Sequence, residues 1–301
     1  MDSSSNDVAR VFRFFKVLKD GSVHFFMPPT EKIPPSDNPK NGVRSKDVVI
    51  SSDPPVSARI FLPPNPDPTR KLPLLFYIHG GGFCMQSAFS PGYHDFLTTV
   101  VAEANSVAVS VEYGLFPDRP IPACYDDSWA AFQWVASHAC GDGPEPWLND
   151  FADFRRVFIA GDSAGGNISH TVSVRVGSTR FPGLRVVGVV LVHPYFGGTD
   201  DDQMWLYMCP SNGGLEDPRL KPAAEDLARI GCDRVLVFVA EKDHLRKVGI
   251  YYHEELKKSG WKGTVEIVEN EGEDHCFHMF DPTSEKAADL IKRIVSFINR
   301  E

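Results

Sequence analysis

A serine with glycines two residues to either side, Gly161-Asp162-Ser163-Ala164-Gly165, follows an apolar run at 157–160 and opens a stretch of helical character. A serine hydroxyl is a weak nucleophile on its own and attacks a carbonyl only when a neighbouring base takes its proton. The G-x-S-x-G spacing suits that task at a strand-to-helix turn. The turn holds the serine in a strained backbone conformation, and a Cβ two residues to either side would crowd the crossing of strand and helix. The serine then stands at a helix N-terminus, whose partial positive charge favours a developing negative one. A glycine-rich turn in which Ser163 merely caps the helix is the competing explanation. The two differ in what the rest of the chain supplies: a base, an acid to orient it and donors for an oxyanion.

Directly after the apolar run 74–78 comes His79-Gly80-Gly81-Gly82-Phe83. Three consecutive glycines cost chain entropy and contribute nothing to a core, so they make sense where backbone N–H groups must approach a substrate oxygen. The N–H groups of Gly81, Gly82 and Ala164 are the expected oxyanion hole, with His79 holding the loop by a hydrogen bond. A phosphate loop is disfavoured, since neither the P-loop lysine nor the G-x-G-x-x-G spacing is present. Downstream, the run 235–240 ends in Glu241-Lys242-Asp243, and the run 265–268 leads through an acidic loop to Asp274-His275-Cys276-Phe277-His278. Asp243 and His275 follow Ser163 in the order Ser, Asp, His, each after a strand. Glu241 and Asp274 are alternative acids and His278 an alternative base. His193 precedes Asp243 in the chain and reads as a core or capping residue.

The elements that must position these groups alternate along the chain. Runs rich in Val, Ile and Leu at 74–78, 107–111, 157–160, 186–192, 235–240 and 265–268 predict buried parallel strands. Helical stretches at about 93–104, 126–139, 165–176, 222–230, 246–258 and 284–299 separate them. The last carries Ala287, Ala288, Ile291, Ile294, Val295 and Ile298 as a core-facing stripe. A hairpin is expected over 46–62, turning at Asp53-Pro54-Pro55. The first 45 residues look irregular and Pro-rich. Strand and helix in alternation imply an open α/β sheet with helices on both faces and reactive groups at the carboxyl ends of the strands.

Composition narrows the partners. Of 301 residues, 42% are hydrophobic, and the net charge of −9 is carried without any basic run. Nucleic acid and anionic membrane are therefore not expected partners. The N-terminus has no secretory pattern, and the longest apolar runs are strand-sized, too short to span a membrane. Six cysteines with no CxxC pair or zinc-like spacing suggest free buried thiols in a reducing cytosol. No metal or cofactor is implied, and the sequence sets no oligomeric state.

Taken together, His79 to Phe83, the stretch from Tyr113 to Trp129 with Tyr125-Asp126-Asp127-Ser128-Trp129, Gly161 to Asn167, His193-Pro194-Tyr195-Phe196, Val239 to Asp243 and Glu273 to His278 resemble the plant carboxylesterases of the hormone-sensitive-lipase-like branch of α/β hydrolases. The resemblance covers nearly the whole chain. It implies an α/β-hydrolase fold, with Ser163 as nucleophile, Asp243 as acid, His275 as base and Gly81, Gly82 and Ala164 as oxyanion hole. A small-molecule ester is the implied substrate. It also implies a small helical cap over the acyl pocket, from about 1–45 and about 197–220 of one 301-residue domain. Phe83, Phe116 and Phe196, with Phe89, are candidates to line that pocket or to pack the core. Gly114 and Phe116 stand where members commonly carry Arg and Ala, and 197–205 is shorter than usual, which suggests a trimmed cap. The same branch holds hormone receptors without the histidine, and dehydratases and cyclases with altered oxyanion glycines or nucleophile. Here His275, Gly81, Gly82 and Ser163 are all intact, which points to hydrolysis of small to medium carboxylic esters.

Overall fold

The computed structural model describes residues 7–36 and 41–300. Chain order gives strands β1 (Val8–Val11), β2 (Phe15–Leu18), β3 (Val23–Phe25), β4 (Arg44–Ser52), β5 (Pro55–Leu62) and β6 (Leu72–Ile78). Helix α1 (Pro91–Ala104), β7 (Val107–Glu112), α2 (Ala123–Ala136), α3 (Pro146–Phe151), β8 (Ala152–Asp162) and α4 (Ala164–Gly177) follow. The remainder is β9 (Val186–Val192), α5 (Asp202–Met208), α6 (Ala224–Ala228), β10 (Arg234–Ala240), α7 (Arg246–Lys258), β11 (Thr264–Asn270), α8 (Phe277–Phe280) and α9 (Glu285–Asn299).

Eight strands form one sheet in the order β11-β10-β9-β8-β6-β7-β5-β4. All neighbours are parallel except at β5, which runs against both β4 and β7. The strands' two-residue period divides the core. Leu74, Phe76 and Ile78 of β6 face one layer with Phe132 of α2, Ile168 and Val172 of α4 and Leu256 of α7. Leu75 and Tyr77 face the other, with Phe96 and Leu97 of α1 and Ile294 and Phe297 of α9. Burial of both faces explains why these strands read as unbroken apolar runs. In α9 the buried stripe is Ala287, Leu290, Ile291, Ile294, Phe297 and Ile298, whereas Ala288 of the expected stripe faces solvent. The Ser284 hydroxyl caps this helix, accepting a hydrogen bond from the Ala287 N–H.

The two segments expected to make a helical cap are built differently from each other. Within 7–25 the chain is an antiparallel meander, β1-β2-β3, not helix. The reason is a two-residue alternation: Phe15 and Val17 are buried while Lys16 and Leu18 are half-buried, a period no helix can satisfy. The 197–220 segment does supply helix, in α5 and a 3-10 turn at Gly214–Glu216. The two segments meet through aromatic contacts of Phe12 and Phe15 with Tyr207 and through an Arg13–Asp201 ion pair at 2.8 Å. Helices α3 and α8 have no counterpart in the sequence reading, because six and four residues are too few to display a helical period. All six cysteines are free thiols; four are buried as expected, but Cys232 is half-buried and Cys140 is exposed. No helix among the described residues is long and apolar enough to cross a membrane.

Candidate active site

Strand β8 ends at Asp162 and helix α4 begins at Ala164, leaving Ser163 alone at the turn with φ +53°. That left-handed conformation is unfavourable for a residue with a side chain. The surroundings enforce it through close backbone crossing. A Cβ on Gly161 would lie 2.4 Å from the Gly165 carbonyl oxygen, and one on Gly165 would lie 2.0 Å from that of Ile78. Both positions therefore require glycine. Ser163 does not cap α4 with its side chain, so the hydroxyl is available for other contacts.

Those contacts run to the loops after β11 and β10. His275 Nε2 lies 2.9 Å from Ser163 Oγ, and His275 Nδ1 lies 2.8 Å from Asp243 Oδ2. With a carboxylate on the Nδ1 side, the proton sits on Nδ1, and Nε2 is left to accept from the serine. Burial would raise the pKa of Asp243, but hydrogen bonds from His244, His275 and the Leu245 N–H outweigh it and hold the carboxyl well below the usual range. The rivals lie elsewhere. Glu241 accepts a hydrogen bond from the Gly272 N–H at 2.6 Å, and Asp274 accepts from the His275 N–H at 2.7 Å. His278 is buried against Phe96 and His193 and makes no hydrogen bond to Ser163.

His193 matches its expected supporting place. Its Nδ1 accepts from the Cys276 N–H at 2.9 Å and its Nε2 lies 3.3 Å from Asn270 Oδ1. It thereby fixes the backbone beside His275, where Cys276 adopts φ +51°. His193, His275 and Cys276 are the one group among the described residues close enough to share a metal ion. Every ring nitrogen in it is already hydrogen-bonded, so the set does not fit a resident ion.

Burial pushes both His193 and His170 down to about 4, below the ordinary 6.5. The unfolded chain takes up protons that the folded chain refuses once the pH drops below about 6.5. The stability that depends on these neutral rings is fully present above that pH and is lost as the pH falls towards 4. The melting temperature should therefore be roughly 5 °C or more lower at pH 5 than at pH 7.5. Thermal unfolding followed by circular dichroism measures it, and a flat profile would contradict the burial argument.

The glycine loop lies across from the serine. Gly81, Gly82 and Phe83 all have positive φ, and a Cβ on Gly81 would fall 2.2 Å from the Met85 carbonyl oxygen. The N–H groups of Gly81, Gly82 and Ala164 donate no hydrogen bond to the described residues. Gly82, Ala164 and Ser163 line one cavity together, while Gly81, Gly82 and Ser163 line a second. His79 is fully buried, donates from Nδ1 to the Gly80 carbonyl at 2.8 Å and stacks on Tyr113 at 4.2 Å. Burial lowers its pKa, so it is a neutral prop for the loop.

Asp162 was missed in the sequence reading, although it sits inside the serine motif. It is fully enclosed and accepts from Tyr77 Oη at 2.8 Å, Tyr93 Oη at 2.7 Å and the Gly80 N–H at 3.1 Å. Burial raises its pKa above the ordinary carboxylate value, against the opposing pull of the two tyrosines. Its carboxyl group ties the glycine loop to the serine turn, so the two halves of the site are set by one group. Nothing in residue spacing announces the tyrosines, because they come from β6 and α1.

Two cavities meet at Ser163 and His275. The larger, about 840 Å³, has apolar walls including Phe83, Tyr195, Met204 and Trp205. The smaller, about 400 Å³, includes Met85, Tyr93 and Met279. Three of the four phenylalanines nominated for the pocket, Phe89, Phe116 and Phe196, lie outside both. Phe116 packs on Phe15 and Tyr207 behind the loop, because the β1–β3 meander brings Phe15 to 5.3 Å from it. Phe196 stacks flat on Tyr252 at 4.5 Å beneath α7. Phe83 alone keeps the expected position. At Gly114 the space that a side chain would fill is taken by Arg119, which pairs with Asp127.

Residues 75–279 match the family model described as the alpha/beta hydrolase fold. The chain belongs to the α/β-hydrolase family. Among family relatives, it is 45% identical to "Probable carboxylesterase 4, mitochondrial" of Arabidopsis thaliana over 98% of this chain and 84% of that one. It is 43% identical to a 2-hydroxyisoflavanone dehydratase of Glycyrrhiza echinata over 94% of this chain and 93% of that one. Among solved family structures, a hyperthermophilic esterase from the archaeon Pyrobaculum calidifontis superposes with a TM-score of 0.69. It is 27% identical and covers 85% of each chain.

Proposed function

We propose that this protein is a serine carboxylesterase acting on small to medium carboxylic esters, with Ser163 as nucleophile, His275 as general base and Asp243 as its orienting acid. The observation that carries the reading is the unbroken hydrogen-bonded chain from Ser163 Oγ through His275 to Asp243, opposite three N–H groups that donate to none of the described residues. His275 takes the Ser163 proton as the oxygen attacks the ester carbonyl, and Asp243 stabilises the imidazolium that forms. The alkoxide is received by the N–H groups of Gly81, Gly82 and Ala164. His275 then returns the proton to the departing alcohol. Water, activated by the same ring, cleaves the acyl-enzyme. No step calls for a cofactor.

The apolar walls of the larger cavity suit the bulkier half of the ester, and the smaller cavity suits the other half. Six free thiols, one of them exposed, suit a reducing compartment such as the cytosol. The dehydratase relative supports a second reading, in which His275 abstracts a proton and water is eliminated without acylation. A p-nitrophenyl ester series from acetate to octanoate separates the two. The esterase reading expects steady turnover with a pre-steady-state burst close to one nitrophenol per chain. Absence of turnover on every chain length would overturn it.

A further inference from the structure

Asp243 is shared. Its Oδ2 faces His275, and its Oδ1 faces a second imidazole, His244 Nδ1, at 3.2 Å. The other nitrogen of that ring, His244 Nε2, lies 2.9 Å from Asp201 Oδ2, while Asp201 Oδ1 accepts from Arg13 Nε at 2.8 Å. A neutral imidazole has one N–H and one lone pair, so it can bond only one of two flanking carboxylates. Both nitrogens of His244 face carboxylates, and both must therefore carry protons. The geometry makes His244 an imidazolium, and its pKa is raised to about 9 by the hydrogen bonds to Asp201 and Asp243. Its ring stands edge-on to His275 with centroids 5.5 Å apart. The other charged groups on that cavity wall are Lys242, Glu273, Asp274 and Asp281.

We infer that His244 is a positioning residue of the site, a fixed cation that holds Asp243 against His275 and ties both to the Arg13–Asp201 bridge between the two covering segments. This rests on the reading of Ser163, His275 and Asp243 as the triad. Two consequences share one sign. The cation of His244 disfavours a second positive charge on His275, and its hydrogen bond makes Asp243 a weaker partner for a protonated His275. Without His244, His275 holds its proton to higher pH, and the acid limb of the rate profile moves upward. Loss of the His244 proton above about pH 9 breaks one of its two contacts and loosens Asp243.

The test compares wild type with His244→Gln, His244→Arg and Asp201→Asn, each checked for an unchanged melting profile. His244→Gln is expected to lower kcat about tenfold, leave KM within about threefold and shift the acid limb upward by roughly half to one pH unit. His244→Arg keeps the charge and should leave the acid limb in place. Asp201→Asn should instead bring the alkaline fall of wild type to lower pH. A His244→Gln profile that superimposes on wild type, or equal shifts in the Gln and Arg variants, would overturn the inference. Should His244→Gln fail to fold, the Arg and Asn variants carry the same comparison. Proton NMR of the histidine rings gives a readout independent of turnover. The His244 resonances should stay at imidazolium positions through pH 8, and titration near pH 6.5 would refute a fixed cation even in a protein with no esterase activity.

Discussion

Replacing Ser163 with alanine should abolish ester hydrolysis, lowering kcat on the order of 10⁶-fold while KM stays within a few-fold. The asymmetry follows from what the substitution leaves behind. The N–H groups of Gly81, Gly82 and Ala164 and both cavities remain, so the substrate still binds and its carbonyl is still polarised. Only the attacking oxygen is gone. His275 and the oxyanion donors together can still assist water, which sets a residual rate above the uncatalysed one. The fold should persist, because the serine side chain does not cap α4 and the turn is held by Gly161, Gly165 and Asp162. Steady-state kinetics with a p-nitrophenyl ester check it. Retention of more than about 1% of kcat would mean that another group attacks.

Asp243→Asn should lower kcat about 10⁴-fold, and the reason lies in which oxygen does what. Oδ1 accepts from the Leu245 N–H at 2.8 Å and faces the charged His244, so the amide oxygen of asparagine is held on that side. The amide NH₂ then faces His275 Nδ1. That nitrogen must become the acceptor, its proton moves to Nε2, and the ring offers an N–H to Ser163 where a lone pair is needed. The base is present in the wrong tautomer. A loss of less than tenfold would show that Asp243 orients nothing.

The amount of this that could be read in residues follows how local each interaction is. Ser163, Gly161, Gly165 and the triglycine loop announce themselves because one turn of backbone dictates them, and a Cβ at Gly165 meets the Ile78 carbonyl directly. Asp243 and His275 are legible through topology, since each follows a strand of apolar residues in a parallel sheet. The strands are legible because burial on both faces leaves an unbroken apolar run, and the long C-terminal helix because its buried residues recur at helical spacing. What escaped depends on long-range packing. Phe116 and Phe196 are the same kind of residue as Phe83, and only the positions of Phe15 and Tyr252 decide that they lie outside the cavity. The meander of 8–25 was hidden because a four-residue alternation such as Phe15–Leu18 is too short to outweigh its Pro-rich surroundings. His244 carries no motif, and its partner Asp201 is 43 residues away.

On the proposed reading, one hydroxyl in this chain is activated and faces an oxyanion hole. An alkyl fluorophosphonate tests it directly, because it phosphorylates only a serine whose proton is removed and whose transition state is stabilised. One adduct per chain is expected, located by peptide mass spectrometry on Ser163. Labelling should be slowed by Asp243→Asn and lost in Ser163→Ala. An unlabelled protein, or an adduct on any other residue with Ser163 unmodified, would contradict it.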